Sequence, residues 1–373
     1  MTREDLYVRH QIELAQLTKG ELATLGKRFR DLQRGVTKNL YGFGPLQRWS
    51  RERVEAQISL ISGMVSQFFD TIGDETQASY ATLASMEAVW NTATLAAVST
   101  IAFTPTSGSA VVQAVMSEPF QGQMYAQWWN GMSRRTQEHI ATNLRQAWAT
   151  GESLEAVEKR LEPVMRAANQ NTASIVRTGV MDIAATAREQ TYQANAEHIS
   201  FQIWTATLDA RTSMPCRIRD GKIYTLDGKP HGHKIPYGAG PGKFHWGCRS
   251  TGVPVLKGEN PEEMVDEFTR PSFDYNQSTT TRAASTLRYD TSEGRIVKKG
   301  ERNPNAERRG QPVQTASRYP EWFARQPAWV QDKVLGKRKG ALYRSGGLQL
   351  TTFSEDGVRT ATIAELKEKG YQL

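Results

Sequence analysis

Cysteine is nearly missing from this chain, which has two in 373 residues alongside six histidines. So few thiols exclude a disulfide scaffold. Long apolar runs are missing too. The weakly polar stretch from Ala88 to Phe103 is diluted by Thr, Ser and Asn and falls short of the roughly 20 apolar residues of a membrane span. It reads as a buried helix, and no membrane partner is expected. The first ten residues, MTREDLYVRH, lack the basic-then-apolar layout of a signal peptide, which predicts a protein made and kept in a reducing cytosol. The run from Gly238 to Lys243, GAGPGK, lacks the spacing and following Ser or Thr of a phosphate-cradling loop. Helix-turn-helix and repeated Cys-x-x-Cys spacings are also missing, which argues against a sequence-reading regulator.

What is present is a foldable chain with localised charge. Hydrophobic residues make up 38% and charged ones 23%, enough to collapse, and the length predicts two or three compact units. The formal charge is +8. Between Arg282 and Arg344 fifteen Lys or Arg face six acids, an excess larger than that of the whole chain. The first half of this segment is poor in apolar residues and has no sustained period. It reads as a flexible basic linker, with Lys298, Lys299, Arg308 and Arg309 as candidate contacts to the DNA backbone. A merely solvated spacer is the competing reading.

The first two hundred residues are patterned as helix. Val54, Ile58, Ile61, Val65 and Phe68 recur at steps of three and four, the spacing of one helical face. Thr104 to Ala110 reads as a turn. Ser153 is a candidate N-cap for a short helix that Pro163 limits or bends, and a longer helix then carries Val176, Val180, Ile183 and Ala187. From Ile199 the pattern changes to β-branched and aromatic residues. Three short strands are expected: Ile199 to Asp209, one within GKIYTLDGK (221–229) ahead of the Asp227-Gly228 turn signal, and one within STGVPVLKG (250–258).

Both cysteines, Cys216 and Cys248, and three histidines, His231, His233 and His245, crowd into this small module. Thiolate and imidazole are zinc ligands, and a loop-rich module with little apolar content is the kind a metal holds together. Cys216, His245 and Cys248 are the candidate metal ligands, with Asp209, His231 or His233 as a fourth; Asp209 is the choice carried forward. Packing of the cysteines without metal, or a disulfide between them, competes with zinc.

The run WTATLDARTSMPCRIRDGKIY, followed after a loop by KFHWGCRS, resembles the core of the Mu F-like head-morphogenesis family of phage minor head proteins. The matching positions are Trp204, Asp209, Arg211, Thr212, Cys216, Asp220, Gly221, His245, Cys248 and Arg249. One departure is the three residues, Gly242 to Phe244, between Pro241 and His245. The resemblance covers about 150 to 255, and the segment from Tyr319 to Leu350 is similar to tails of some such proteins.

Together these patterns give an α+β protein: a mainly helical N-terminal region over 1–135, the Mu F-like, loop-rich Cys/His module over 136–260, a basic linker over 261–317 and a small helical tail subdomain over 318–373. In the tail, Pro320 and Pro327 suit helix first turns, and Trp322, Phe323, Trp329, Val330, Val334 and Leu335 would form an apolar face. The function that the resemblance implies is structural and non-enzymatic, in phage head assembly. The implied partners are portal protein, major capsid or scaffolding protein, and double-stranded DNA bound non-specifically. The implied location is the virion interior near the portal vertex, with host cytoplasm during assembly. A metal-dependent nuclease acting on DNA is the alternative, although neither a His-rich nuclease pattern nor paired carboxylates at a telling spacing is found.

Overall fold

The computed structural model describes residues 2–267, 269–280, 288–290, 295–297, 308–315, 317–346, 348–355 and 357–371. Four long helices make the body: α1 (Arg3–Tyr41), α2 (Arg51–Ala97), α4 (Tyr125–Ala149) and α5 (Leu154–Ala194), with the short α3 (Gly108–Ser117) between. Hydroxyl side chains start several of them. Thr2, Ser50, Ser107 and Ser153 each accept a backbone N–H from three residues on, satisfying donors that a helix leaves open at its first turn. The apolar stripes then meet in one core that includes Phe29, Val36, Ile61, Val65, Phe69, Leu144, Val157 and Ile183. Trp148 Nε1 donates to Trp49 O and His10 pairs with Glu87, so α4 and α1 both run antiparallel to α2.

Two details depart from the expected pattern. On α2 the buried phenylalanine is Phe69, with Phe68 only partly buried, because a step of four from Val65 stays closer to the stripe than a step of three. On α5, Pro163 lies inside a continuous helix of 41 residues. It sits on the exposed face, where water can take up the carbonyl one turn back, while Val157, Leu161, Met165 and Ala168 keep the buried stripe in register across it.

The chain then leaves α5 for a small antiparallel sheet. β1 (Ile199–Thr205) is followed by α6 (Met214–Arg219), β2 (Ile223–Thr225), β3 (Pro230–His231) and β4 (Thr251–Leu256), in the order β3-β2-β1-β4. Strand alternation sorts the side chains. Ile203, Ile223, Val253 and Val255 face the helical body with Tyr7, Leu95 and Tyr192. Trp204 and Tyr224 face the other way, with Cys216 and Cys248.

The stretch expected to be a flexible linker is structured at its ends. It begins with α7 (Pro261–Glu267) and β5 (Arg270–Thr280), and after β6 (Arg288–Asp290) and β7 (Arg295–Val297) it closes with β8 (Arg308–Thr315), which pairs antiparallel to β5. Arg308 and Arg309 thus lie in a strand, opposite Thr280 and Thr279. Lys298 and Lys299 lie outside the described residues. Alternation of Arg270, Ser272 and Asp274 against Thr315, Val313 and Gln311 gives a two-stranded ribbon whose polar composition disguises it.

Nor is the tail a tethered subdomain. α8 (Tyr319–Ala324), α9 (Ala328–Leu335), α10 (Lys337–Gly346), a hairpin of β9 (Ser354–Glu355) and β10 (Arg359–Thr360), and α11 (Ile363–Glu368) share a core with the module. Tyr319, Trp322, Phe323, Leu335 and Phe353 pack with Leu208, Met214 and Ile218. Pro320 falls in the first turn of α8 and Pro327 caps α9, as their fixed φ allows.

At the seam of α1, module, ribbon and tail lies a buried cluster of four charges. Arg270 donates to both oxygens of Asp220, with Nη1 to Oδ1 at 2.8 Å. Arg318 donates to Glu4 Oε1 at 2.7 Å, and Arg270 Nη1 stands 3.7 Å from the same oxygen. Asp220 also accepts the backbone N–H groups of Ala206 and Tyr319, each at 2.7 Å. Breaking a buried pair strands its partner's charge, at a cost of about 3–5 kcal/mol. Arg270→Met is therefore expected to lower the urea midpoint of the full chain by that equivalent, while Arg211→Met, at an exposed arginine, leaves it nearly unchanged. Equal midpoints would show that the cluster does not hold the four parts together.

Candidate metal centre

Three side chains converge between the sheet and the loop that precedes β4. Cys216 enters from α6. His245 and Cys248 come from one tight turn, closed by Cys248 N–H donating to His245 O at 3.0 Å. Gly247 takes φ +67° in that turn, a conformation favoured by glycine, and its N–H donates to Thr178 Oγ1 on α5 at 2.9 Å. Just upstream Gly242, at φ +95°, lies so close to α5 that a Cβ there would come within 2.9 Å of Ala185 Cβ. The Gly-rich run thus lets backbone lie flat on helix α5 and aims His245 inward.

The donor atoms are set as a metal would need them. Cys216 Sγ is 3.7 Å from Cys248 Sγ and 3.2 Å from His245 Nε2, and all three donors lie within 4.8 Å of one another. Around tetrahedral zinc, bonds of about 2.3 Å to sulfur and 2.0 Å to nitrogen give S···S and S···N edges near 3.8 and 3.5 Å. His245 Nδ1 is 2.9 Å from the carbonyl of Trp246. A proton on Nδ1 donated to that carbonyl leaves the Nε2 lone pair toward the sulfurs, the arrangement that usually orients a ligating imidazole. The residues therefore fit a metal ion. Both cysteines are free and buried.

Electrostatics favour a thiolate here. Hydrogen bonding from Cys216, which outweighs burial, and contact with His245 hold the Cys248 thiol well below its ordinary range. The same bond, with burial, pushes Cys216 well up, so the pair gives up its first proton readily and its second reluctantly. Burial alone would push His245 down, but the bond to Cys248 outweighs it and leaves that histidine raised. A bound cation would replace this proton sharing and deprotonate both thiols.

Asp209 does not join the three converging donors. Its Oδ1 accepts the N–H groups of Arg211 and Thr212 at 2.9 Å, and Arg249 donates to Oδ2 and Oδ1 at 2.6 and 2.8 Å. Asp209 is consumed in shaping the turn after β1 and in holding the arginine beside Cys248. His231 stands on β3 against Phe201 and near Glu262. His233 is fixed between Ile223 O and Ile235 N. Neither joins the cluster. The neighbour that the sequence reading did not single out is Ser213, whose Oγ is 2.6 Å from His245 Nε2. It stands at the N-cap of α6 without capping it, and its signal was a place one helical turn before Cys216. Arg219 roofs the site at 4.2 Å from the Phe244 ring centroid and 5.5 Å from that of Trp204.

Two outcomes are expected. Full-length protein purified without a histidine tag contains one metal ion per chain by plasma mass spectrometry; Cys216→Ser and Cys248→Ser each reduce that content at least tenfold, and Asp209→Asn does not. Loss of metal in Asp209→Asn with ligands intact would reinstate the carboxylate as a ligand. Separately, burial would raise Asp209, but its bonds to Arg249 outweigh this and hold it below the usual carboxylate range. Its ionised form thus stabilises the fold above the unfolded-state pKa, near 3.9, and that contribution is lost as pH falls through the lower folded value. The urea midpoint of Asp209→Asn should lie well below wild type at pH 7 and converge on it toward pH 3; a gap independent of pH would contradict the ion-pair account.

Comparison with known proteins adds one finding. Residues 138–253 match the family model described as Phage Mu protein F like protein. Neither the curated proteins nor the solved structures contain a match. The matched stretch runs from within α4 through α5 to β4, and so contains Cys216, His245 and Cys248. Residues 138–253 are thus similar to Mu F-like phage proteins, and this stretch holds a Cys/His cluster able to bind a metal ion.

Proposed function

We propose that the chain is a structural minor head protein of a phage. In this reading it is built into the virion during head assembly in host cytoplasm, sits at the portal vertex facing the capsid interior, and contacts portal protein, major capsid or scaffolding protein, and packaged DNA. The observation that carries the reading is the match of residues 138–253 to the Mu F-like family, the family that the sequence resembles on its Cys/His motif. No helix among the described residues is long and apolar enough to cross a membrane.

The site chemistry is compatible with architecture. The thiols are only 2% and 0% exposed and lie under Trp204, Tyr224 and Phe244, which suits a metal that links α6 to the turn before β4. The bound metal would be zinc, on the strength of two thiolates and one imidazole. Its contribution would be folding free energy. Catalysis on DNA would instead require a polymer to reach a fourth, open position.

The test is mass spectrometry of purified particles. The chain is expected at a few copies per particle, and a Cys248→Ser phage is expected to yield fewer DNA-filled heads. Absence of the chain from particles would reject the structural role and revive the nuclease reading. For the DNA contact assigned to the basic segment, replacing Lys298, Lys299, Arg308 and Arg309 together with Gln should flatten the salt dependence of duplex binding; an unchanged slope would move that contact elsewhere.

A further inference from the structure

The tip of the α1–α2 hairpin carries a concentration of charge that whole-chain and linker tallies conceal. Between Lys27 and Arg53 the sequence has eight Lys or Arg against two acids. Helical geometry then sorts them. With Leu25, Phe29, Leu32, Val36 and Leu40 turned into the core, Arg30, Arg34 and Lys38 fall on the exposed stripe of α1. Arg48, Arg51 and Arg53 continue the exposed cations past the turn.

Two exposed aromatic rings, Tyr41 and Phe43, stand in the same stretch, and the Arg53 guanidinium lies over the Phe43 ring at 5.9 Å from its centroid. Acids border this stretch as well, with Glu52 on α2 and Glu155 and Glu158 on α5, and some of the neighbouring acids have partners. Asp31 pairs with Arg34, Glu55 takes two bonds from Arg145, and Glu158 receives Thr37 and Tyr41 hydroxyls. Crowding cations this way opposes folding through mutual repulsion, which an external polyanion would relieve.

We propose that this tip is a second DNA-binding surface, one that takes the phosphate backbone of duplex DNA without reading its bases. The inference rests on the proposed role near packaged DNA and adds a site separate from the basic segment. Steps of three and four residues set neighbouring cations about 5–6 Å apart along one helix face, a row suited to a line of phosphates. The planar arginine fork also matches phosphate oxygens, and six of the eight cations of this stretch are arginines. The α1 rod of 39 residues holds the tip about 58 Å from the end where Glu4 locks into the module. The chain would thus grip the head structure at one end and DNA at the other.

The experiment is a salt titration of the full chain binding a fluorescein-labelled 30-base-pair duplex, followed by anisotropy. Arg30→Gln, Lys38→Gln, Arg48→Gln and Arg51→Gln are combined in one variant. Four lost phosphate contacts should reduce the slope of log K against log salt by about 3–4, with binding at least tenfold weaker near 100 mM salt and a duplex of scrambled sequence behaving alike. A variant with wild-type helicity and melting temperature but an unchanged slope overturns the proposal. If in addition the Lys298, Lys299, Arg308 and Arg309 variant alone loses binding, DNA belongs to the basic segment and the head role stands. Polyglutamate binding tighter than the duplex at equal charge, and weakened by the same four substitutions, would assign the tip to an acidic protein and also overturn it. A wild-type chain that binds no duplex, yet is found in particles, rejects the tip surface and leaves head membership intact.

Discussion

The buried pairing of Glu4 and Asp220 with Arg270 and Arg318 is the constraint from which the rest of the architecture follows. These four residues come from the first turn of α1, the turn after α6, the start of β5 and the entry to α8. None can be desolvated alone at tolerable cost, since an isolated buried ion loses several kcal/mol of hydration. Folding must bring both ends of the chain to the sheet together. Burial leaves Glu4 raised despite its two arginines, which marks how dry the seam is. The Cys/His centre lies in the module so enclosed, with Met214 and Ile218 of α6, on either side of Cys216, packed under the tail.

The family match ends at residue 253, but the core that the matched stretch shares continues past it. Leu208, Met214 and Ile218 would be left exposed without Trp322, Phe323 and Phe353, and Asp220 would lose Arg270. A Mu F-like domain in this chain is thus completed by segments outside the recognisable stretch. The helical body contributes in the same way through Arg3 of α1, which donates to Pro254 O on β4; within the matched stretch, the Tyr192 hydroxyl of α5 donates to Gly252 O of the same strand.

Much of this was legible in the sequence, and the misses have physical causes. The stripe of α2, the strand at Ile199 and the convergence of Cys216, His245 and Cys248 are all carried by residue type and short-range period. Asp209 was misread because a carboxylate's partner is a matter of three dimensions: Arg249 lies 40 residues away. The autonomy expected of the tail failed for a related reason. An apolar face reads the same from sequence whether it covers its own subdomain or, as here, the module's. The ribbon of β5 and β8 was hidden by polar composition, and the cations of the α1–α2 tip by a remainder whose acids cancelled them. Pro163 misled because its side of the helix could be told only after packing was known.

Because the tail packs on both sides of Cys216 and α1 is tied to the same seam, the module, tail and Cys/His centre should open as one cooperative unit. Native-state hydrogen exchange reads this out. Amides of β1, β4, α8 and the Cys216 and Cys248 segments should exchange through a single opening, with the same free energy and denaturant dependence. Exchange of the 245–248 turn or of α8 orders of magnitude faster than β1, by a local opening insensitive to denaturant, would contradict it.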